Sequence, residues 1–338
     1  MRKITHARHP ELSEGSSGTR AFVDDDGFFA ALRITGMSGS GLRLLRILAA
    51  IHLLVSVAPA AITVAAFNVE NYTLADRMVD GVFRSAYPKP EAEKAAVRQV
   101  IAGINPDIVA VEEMGTQPYL EDFRRELKRT GQDFPHRVLL EAGDPDRHVA
   151  LLSKFPFKEV RRHAKVPIKY FGRPDFVKRG VLEVIFATTE GDLSVFVVHL
   201  KSKRTDRKED PEGAVQRAAE AEAVRDLVLS RYPDPAKGKF LVVGDWNDTR
   251  STRPVRALQK RGDTVIGDLV PATDARGEVW THSFRREDTY TRIDYLMVSP
   301  ALKLFVEGGR GKVHDGPGAL QGSDHRAVYL TLKLDPAK

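Results

Sequence analysis

Asp245 and Asn247 form a polar pair whose types and spacing are suited to chemistry. They follow the apolar residues 241–244, which predict a short buried strand bounded by turn residues. Because residues two apart on an extended segment face the same way, a carboxylate and a carboxamide should emerge together from a rigid element. A single strand that ends in Asp and Asn is more often only a turn, so a functional interpretation needs support from elsewhere in the chain.

That support comes from the ends of other predicted strands, which carry polar side chains of similar types. They are Asn68, Glu113, His199, Asp294, Asp324 and His325. Each has a simpler interpretation, such as a turn residue, a helix cap or a solvated strand start. If the strands pack into sheets, however, their ends converge on one edge, and this many coincidences favour a site there.

Three members of the set could hold a hard divalent cation. Mg²⁺ prefers carboxylate and amide oxygens and keeps several waters, and Asn68, Glu113 and Asp324 supply such oxygens. The chain has no cysteine, which excludes a disulfide framework and any cysteine-based zinc site. A bound metal must therefore use oxygen or imidazole ligands.

The remaining members are suited to phosphodiester hydrolysis. Asp245 or His325 could orient or deprotonate the attacking water. Asn247, His199 and His325 could stabilise the anionic transition state. The net charge of +6 and pI near 9.3 agree with an anionic partner without identifying it.

The N-terminal 60 residues differ from the rest of the sequence. Residues 1–36 are rich in Ser, Gly, Arg and Asp without a sustained period, which predicts a disordered or mis-annotated extension that ends before Met37. Residues 37–60 contain two arginines, an apolar run at 47–57 and then Ala-Pro-Ala, the order of a secretory signal peptide. A buried N-terminal helix is the alternative. The signal-peptide interpretation predicts a secreted or periplasmic protein without a stable membrane anchor, whose domain spans residues 61–338.

Within that domain, short predicted strands outnumber helices. Apolar stripes predict helices over residues 91–104, 118–130 and 211–231. Strands are predicted at residues 62–68, 107–111, 148–153, 292–299 and 327–334, with a hairpin of 181–188 and 193–200 joined through Gly191-Asp192.

Six motifs in order resemble the endonuclease/exonuclease/phosphatase superfamily, the group that contains deoxyribonuclease I and exonuclease III. They are FNVEN at 67–71, PDIVAVEEM at 106–114, VVHLKS at 197–202, GDWND at 244–248, RIDYLMVS at 292–299 and SDHRAV at 323–328. The resemblance implies an α+β fold, a four-layer α/β/β/α sandwich of two packed, mostly antiparallel sheets.

The resemblance also implies roles for the site residues. Asn68 and Glu113 would help to hold the metal, Mg²⁺ or else Mn²⁺ or Ca²⁺, and Glu112 stands where many members have Gln. Asp324 would ligate the metal or pair with His325.

By the same resemblance, Asp245 would position the attacking water and Asn247 would bind the phosphate. Asp294 would support the histidine or a second metal, and His199 and His325 would serve phosphate binding and proton transfer. Arg179 resembles a phosphate-facing residue. A tyrosine that several members place in the pocket has no clear counterpart here, and Tyr170 is the suggested candidate.

The predicted function is a secreted, metal-dependent phosphodiesterase, a monomeric nuclease with nucleic acid as its substrate. A basic loop at residues 201–208, with Lys203 and Arg204 as substrate-binding residues, follows His199 directly. The alternatives are a lipid or small-molecule phosphoesterase, of sphingomyelinase or inositol-phosphate type, and a binding module without chemistry. A lipid-directed member should expose an apolar hairpin, and the sequence shows none, although residues 170–176 or 284–290 could form a short one.

Overall fold

The computed structural model of the protein describes residues 61–337. The predicted extension at 1–36 and the predicted signal peptide at 37–60 lie outside the described residues. Within 61–337, no helix has both the length and the apolar character needed to cross a membrane.

Strands dominate the element order. The first part contains β1 (Ile62–Tyr72), β2 (Leu74–Val79), β3 (Val82–Pro88), α1 (Glu91–Ile104), β4 (Ile108–Met114), α2 (Gln117–Arg129), β5 (His136–Leu140) and β6 (His148–Ser153). The middle part contains β7 (Glu159–His163), β8 (Pro167–Tyr170), β9 (Arg173–Phe176), β10 (Val181–Thr188), β11 (Gly191–Val198), α3 (Ala214–Arg231), β12 (Lys239–Asp245) and α4 (Arg253–Gln259). The last part contains β13 (Lys260–Arg261), β14 (Thr264–Val265), β15 (Asp268–Leu269), β16 (Ala272–Thr273), β17 (His282–Phe284), β18 (Thr289–Thr291), β19 (Asp294–Val298), α5 (Pro300–Lys303), β20 (Gly311–Val313) and β21 (Val328–Leu332).

Thirteen of these strands form two sheets. The first has the order β16-β20-β21-β1-β4-β6-β5, and the second has the order β15-β19-β12-β11-β10-β7. Neighbours are antiparallel except in the pairs β1–β4, β16–β20 and β11–β12. The other strands pair as the hairpins β2–β3, β8–β9, β13–β14 and β17–β18.

The apolar core has three layers, which together define a sandwich. In β1, Val64 and Ala66 face the second sheet, whereas Ala65 and Phe67 face α1 and α2. The second sheet likewise packs its outer face on α3 and α4. Because both faces of the central strands are buried, these strands are continuous apolar runs rather than alternating ones. The predicted α/β/β/α sandwich is confirmed.

Several predicted elements are confirmed closely. The helix predicted over residues 91–104 has those bounds, and β6 coincides with the predicted strand at 148–153. The predicted turn of the β10–β11 hairpin, Gly191-Asp192, is wrong. Thr188 pairs with Gly191, so Thr189 and Glu190 form the turn. The hydroxyl of Thr188 donates to the Gly191 carbonyl and accepts from the Glu190 amide, which closes the turn one step earlier.

The β2–β3 hairpin is an element that the sequence patterns did not predict. Met78 lies opposite Phe83 and Val79 opposite Val82 at its tip, and Met78, Phe83 and Val82 are 63%, 62% and 53% exposed. The expectation that the chain exposes no apolar hairpin was therefore wrong. The pattern was hidden because Asp76 and Arg77 interrupt the apolar residues.

Candidate active site

The carboxyl end of β12 delivers Asp245 to the edge of the sandwich, and Gly244 makes that delivery possible. Gly244 has φ +124°, and a Cβ atom there would lie 2.2 Å from the Val198 carbonyl oxygen and 2.7 Å from Glu112 Oε1. Any larger residue would push β12 away from β11 and from the Glu112 side chain.

Asp245 and Asn247 emerge on the same side, as predicted. Asn247 adopts φ +55° and donates from Nδ2 to Asp245 Oδ2 at 3.1 Å and to the Leu200 carbonyl at 3.0 Å. Its backbone N–H donates to Asp245 Oδ1 at 2.8 Å. Trp246 faces the other way and is fully buried. Asn247 therefore fixes the orientation of the Asp245 carboxylate.

An irregularity in both β1 and β4 separates the two neighbouring glutamates. Asn68 pairs with Glu112, but the next pair is Tyr72 with Met114, so the register shifts here. Glu113 has φ +60°, which turns its side chain to the edge, whereas Glu112 stays fully buried between the sheets. Bulges of this kind re-aim side chains at functional sites.

Glu112 has an unusual environment for an acid. Neither of its carboxyl oxygens has a hydrogen-bond partner. Burial, followed by the nearby carboxylates of Asp294 and Asp245, raises the pKa of Glu112 well above its ordinary value. This environment favours the protonated, neutral form of the side chain, which resembles a glutamine in the same place.

Asn68 connects the two carboxylates predicted to act on metal and water. Its Nδ2 donates to Asp245 Oδ2 at 3.1 Å and to Glu113 Oε1 at 3.4 Å. Its Oδ1 accepts from the Glu70 backbone N–H at 3.0 Å, and the Asn71 N–H donates to Glu113 Oε2 at 2.9 Å. The carboxylate of Glu113 is thus held at the edge by two donors.

His325 is oriented by Asp294. Its Nδ1 lies 2.9 and 3.1 Å from the two carboxylate oxygens of Asp294, and its Nε2 lies 3.9 Å from Asp245 Oδ2. Burial alone would lower the pKa of His325, but Asp294, Asp245 and Asp324 outweigh it and raise the pKa well above its ordinary value. His325 is therefore a cation near neutral pH.

His199 has the opposite protonation state. Its Nε2 lies 3.5 Å from Asp245 Oδ2, and its Nδ1 is buried without a partner. Burial, then the positive charges of Arg179 and His325, lower the pKa of His199 well below its ordinary value. Asp245 therefore lies between a neutral and a charged histidine.

The carboxylates at this edge are suited to a divalent cation. Burial and Asp294 raise the pKa of Asp245 to about 7, and burial and Asp324 raise that of Glu70 to about 7, with Glu113 adding to both. Crowded acids of this kind are ionised together only when a cation offsets their repulsion. The donor set consists of carboxylate and amide oxygens, which hard cations prefer.

The predicted substrate-binding residues lie in two environments. Arg179 is buried and donates to Asp144 Oδ2 at 3.0 Å and to the Leu200 carbonyl at 3.3 Å, so it lies beside His199 but is already paired. Lys203 and Arg204 are exposed in the loop that leaves the site after Leu200.

Tyr170 is buried and paired next to the basic loop. Its hydroxyl donates to Asp210 Oδ2 at 3.0 Å, and the Arg207 guanidinium covers its ring at 4.7 Å. Burial and that hydrogen bond raise the pKa of Tyr170 to about 12. These contacts anchor the basic loop, and they occupy the hydroxyl that the suggested pocket tyrosine would need.

Three further residues at the site were not among the predicted ones. Glu70 Oε2 accepts from the Asp324 backbone N–H at 2.9 Å, and Arg147 Nε lies 3.9 Å from Glu113 Oε2. His282 Nε2 lies 3.6 Å from Asp324 Oδ2. Glu70 belongs to the FNVEN motif and could have been found there, whereas no sequence signal marks Arg147 or His282.

Comparison with known proteins gives one family and several similar folds. The sequence profile described as the Endonuclease/Exonuclease/phosphatase family matches residues 65–325. No curated protein matches the chain significantly.

Solved structures share the fold at low sequence identity. The catalytic domain of human Nocturnin with bound sulfate has a TM-score of 0.55 and 17% identity, and covers 82% of this chain and 95% of its own. Sphingomyelinase C from Streptomyces griseocarneus has a TM-score of 0.54 and 13% identity, and the match covers 81% of this chain and 99% of the sphingomyelinase chain. A Staphylococcus aureus beta toxin mutant with bound magnesium ions has a TM-score of 0.54 and 15% identity, and the match covers 80% of this chain and 99% of the toxin chain. Identities this low show the fold alone.

Proposed function

The chain belongs to the Endonuclease/Exonuclease/phosphatase family, and on this premise we propose that it is a secreted, divalent-metal-dependent nuclease. Members of this family are hydrolases of phosphate esters. The observation that carries the proposal is the position of Asp245, which lies between neutral His199 and cationic His325 beside the Glu113 and Asn68 side chains. A base, a cationic donor and oxygen ligands for a metal therefore meet at one edge.

The metal would be held by oxygen ligands from β1, β4 and the segment before β21. Glu113 supplies a carboxylate at the edge, and Glu70 and Asp324 lie next to each other beside it. Asn68 positions Glu113 and has an amide oxygen of its own. A divalent cation bound there, Mg²⁺, Mn²⁺ or Ca²⁺, would act as a Lewis acid on the phosphate and offset the charge of the carboxylates.

Asp245 is the group that would orient the attacking water and accept its proton. Its pKa of about 7 makes it a base matched to neutral pH. The hydrogen bonds from Asn68 and Asn247 hold its Oδ2 in place. Asn247 therefore contributes as a positioning residue, because both of its amide hydrogens are already used.

His325 and His199 are the donors for the phosphate oxygens. Asp294 occupies Nδ1 of His325, so Nε2–H points towards Asp245 and the open edge. A charged donor held in advance strengthens as negative charge develops on the phosphate. His199 adds a neutral N–H near the same carboxylate oxygen, Asp245 Oδ2.

Basic surfaces beside this edge favour nucleic acid as the substrate. The loop with Lys203, Arg204 and Lys208 starts at Leu200, whose carbonyl accepts from Asn247. A cleft of about 640 Å³, lined in part by Arg250 and Arg292, opens near the first residues of β19. Positive charge next to a phosphate site can bind a polyanion beyond the scissile bond.

The decisive experiment is an activity screen of the purified domain. DNA, RNA, sphingomyelin and inositol phosphates would be offered with Mg²⁺, with Mn²⁺ and with EDTA. Cleavage of DNA or RNA that EDTA abolishes is the expected result. Hydrolysis of sphingomyelin without any cleavage of nucleic acid would overturn the nuclease proposal while keeping the phosphodiesterase.

A lipid phosphodiesterase is the second candidate, because of the apolar tip of the β2–β3 hairpin. Met78 and Phe83 form an exposed cross-strand pair, and the hairpin's Asp76 and Asp80 offset its Arg77 and Arg84. An apolar tip without net positive charge fits a lipid surface better than a polyanion. Replacing Met78 and Phe83 with Ser should abolish sedimentation with phosphatidylcholine–sphingomyelin vesicles if this candidate is correct, and should leave DNA cleavage unchanged if the protein is a nuclease.

Secretion rests on the sequence of residues 37–60. Mass spectrometry of the protein recovered from medium or periplasm should give an N-terminus near Ala61. Recovery of intact residues 1–36 on a cytoplasmic protein would contradict both the start at Met37 and the proposed localisation.

A further inference from the structure

We propose that Phe171 and Arg207 form a stacking platform for an unpaired base, so that single-stranded nucleic acid gains a contact that a duplex cannot make. The inference rests on the proposed function, because it takes nucleic acid as the partner. It assigns a surface outside the catalytic edge, and it concerns binding, which can be measured without cleavage.

The β8–β9 hairpin presents an aromatic ring beside a cation. The ring centres of Tyr170 and Phe171 lie 4.8 Å apart, and the central carbon of the Arg207 guanidinium lies 4.7 and 4.4 Å from them. Tyr170 is buried, whereas Phe171 is 45% exposed. The guanidinium therefore contacts one hidden ring and one ring that solvent reaches. An exposed ring next to an arginine offers a base both a π-surface and a cation.

The backbone holds Phe171 in a conformation that bulky residues rarely adopt. Tyr170 pairs with Arg173, so Phe171 and Gly172 form a two-residue turn, and their φ angles are +49° and +76°. Asn, Asp or Gly normally takes the first position of such a turn, because a bulky residue there is strained. The turn itself does not explain the Phe. Strained residues cluster at ligand-binding sites, which favours a binding role for this ring.

Both parts of the platform are fixed before a ligand binds. The Tyr170 hydroxyl donates to Asp210 Oδ2 at 3.0 Å, and the Gln216 backbone N–H donates to the same oxygen at 3.1 Å. Arg207 Nε lies 3.5 Å from Glu209 Oε2, so the guanidinium is held from a second side. A base would stack with little ordering of the protein, which lowers the entropic cost of binding.

Two chain segments connect the platform to the proposed active site. Arg179 follows β9 and donates to the Leu200 carbonyl, and the loop that carries Arg207 begins after Leu200. The chain from Phe171 to Arg179 spans at most roughly 28 Å when fully extended. At about 3.4 Å or more for each nucleotide, a strand bound at the catalytic edge would reach the platform within about eight nucleotides.

The charge of this surface favours nucleic acid over lipid as the partner. Residues 167–176 and 201–210 contain seven Lys or Arg and four Asp or Glu, a net charge of +3. The charges of the β2–β3 hairpin cancel instead. A duplex stacks its bases internally, so it can contact the cations but not the ring. A single strand can use both.

Oligonucleotide binding to the inactive variant Asp245→Asn tests the platform. Fluorescence anisotropy in EDTA would give Kd for labelled oligo-dT, oligo-U and a DNA duplex of about 20 nucleotides. Phe171→Asn and Phe171→Trp would be added to this background. Phe176→Asn is the matched control, because Phe176 belongs to the same hairpin and is also 45% exposed, but lies opposite Pro167 at the end away from the turn.

We expect Phe171→Asn to weaken the binding of both single strands by about five- to 150-fold, the contribution of one stacked base. Duplex binding should not change. Phe171→Trp should bind at least as tightly as Phe171, and Phe176→Asn should match it. Because Asn suits the turn, Phe171→Asn should melt at or above the parent Tm, so that unfolding cannot explain weaker binding.

Four results would overturn the platform. They are parental single-strand Kd values in Phe171→Asn, equal losses on single strands and duplex, no rescue by Phe171→Trp, and no binding of any oligonucleotide by the parent. Equal losses in Phe171→Asn and Phe176→Asn, together with lost sedimentation on phosphatidylcholine–sphingomyelin vesicles, would make the hairpin a lipid-docking element instead.

Failure of the proposed function gives a different result. If Phe171→Asn lowers single-strand binding as expected but the wild type cleaves no nucleic acid with Mg²⁺ or Mn²⁺, the platform stands and the nuclease proposal fails. If the wild type cleaves nucleic acid and Phe171→Asn binds normally, the nuclease stands and the platform fails.

Discussion

Asp245 Oδ2 lies 3.1 Å from Asn68 Nδ2, and this contact joins β12 of the second sheet to β1 of the first. The Asp294–His325 pair, at 2.9 Å, makes a similar connection between β19 and the segment before β21. The site is thus assembled from both sheets and exists only when they are packed together.

Glu113 and Glu112 should respond differently to the same substitution. Glu113→Gln should lower kcat by at least about a hundredfold, because loss of a direct ligand should exceed the tenfold to hundredfold typical of outer partners. Glu112→Gln should keep most activity, because burial favours the neutral form of Glu112 and a glutamine amide could donate to the Asp294 or Asp245 carboxylate. Steady-state kinetics measure both, and equal losses would contradict the assignment.

Asp245 and His325 should act on one chemical step. Their side chains are 3.9 Å apart, and one would accept the proton of the water while the other offsets the charge on the phosphate. Residues that act as a unit show losses that do not multiply. The Asp245→Asn, His325→Ala double variant should therefore be little worse than the worse single variant. Losses that multiply in kcat would show independent action.

The buried Asp245 should make stability depend on pH in the metal-free protein. Its pKa is raised from 3.8 to about 7, so the unfolded chain ionises this group first, and its stability contribution is lost as pH rises between about 4 and 7. In Asp245→Asn the side chain cannot ionise, so this loss of stability with rising pH is absent. In EDTA, the Tm of Asp245→Asn relative to wild type should rise from pH 4 to pH 7 and stay constant above it.

Calorimetry of the two proteins across this range provides the measurement. The other buried acids are present in both proteins, so their effects largely cancel in the difference. A Tm difference that does not vary with pH would mean that Asp245 is ionised normally in the folded state.

The basic loop should contribute binding and not chemistry. Lys203, Arg204 and Lys208 would be replaced with Ser, and Arg207 kept, because its guanidinium packs on Phe171 at 4.4 Å and holds the loop. In a plot of log binding constant against log salt concentration for duplex DNA, each lost phosphate contact should reduce the steepness of the slope by about 0.9. KM for DNA should rise, with kcat and the cleavage of bis(p-nitrophenyl) phosphate unchanged.

A matched control uses three lysines at the opposite ends of the strands. Lys158, Lys237 and Lys303 pair with surface acids near the start of β11, before β12 and after β19. Their replacement with Ser should leave the salt dependence unchanged. If the loop variant also keeps the wild-type slope, the loop is ordinary solvated charge.

The sequence predicted the parts of the fold and site that depend on local pattern. Apolar stripes located α1, and the spacing of Asp245 and Asn247 placed them on one side of a strand end. The register shift between β1 and β4 could not be predicted, because it arises from pairing between strands about 40 residues apart. This pairing decides whether Glu112 or Glu113 faces the edge of the sandwich.

Contacts made by distant loops were missed for the same reason. His282 reaches Asp324 because β17 pairs with a segment 43 residues later in the sequence, and no period marks it. Arg179 carried the expected charge, but its pairing with Asp144 depends on a loop 35 residues earlier. The residue type indicates which chemistry a side chain could perform. Tertiary structure decides which partners the side chain contacts, and therefore whether it is free to act.

The pairing of β1 with β21 has a consequence for biosynthesis. Thr63 and Thr331, which face each other across this pair, are 268 residues apart in the chain. At a translation rate of about 5–20 residues per second, the ribosome makes β21 roughly 13–54 s after β1. The centre of the first sheet stays open throughout that interval. Under the proposed secretion, this delay gives the export machinery time to engage the chain before the proposed active site, which needs Asp324 and His325 just ahead of β21, can assemble.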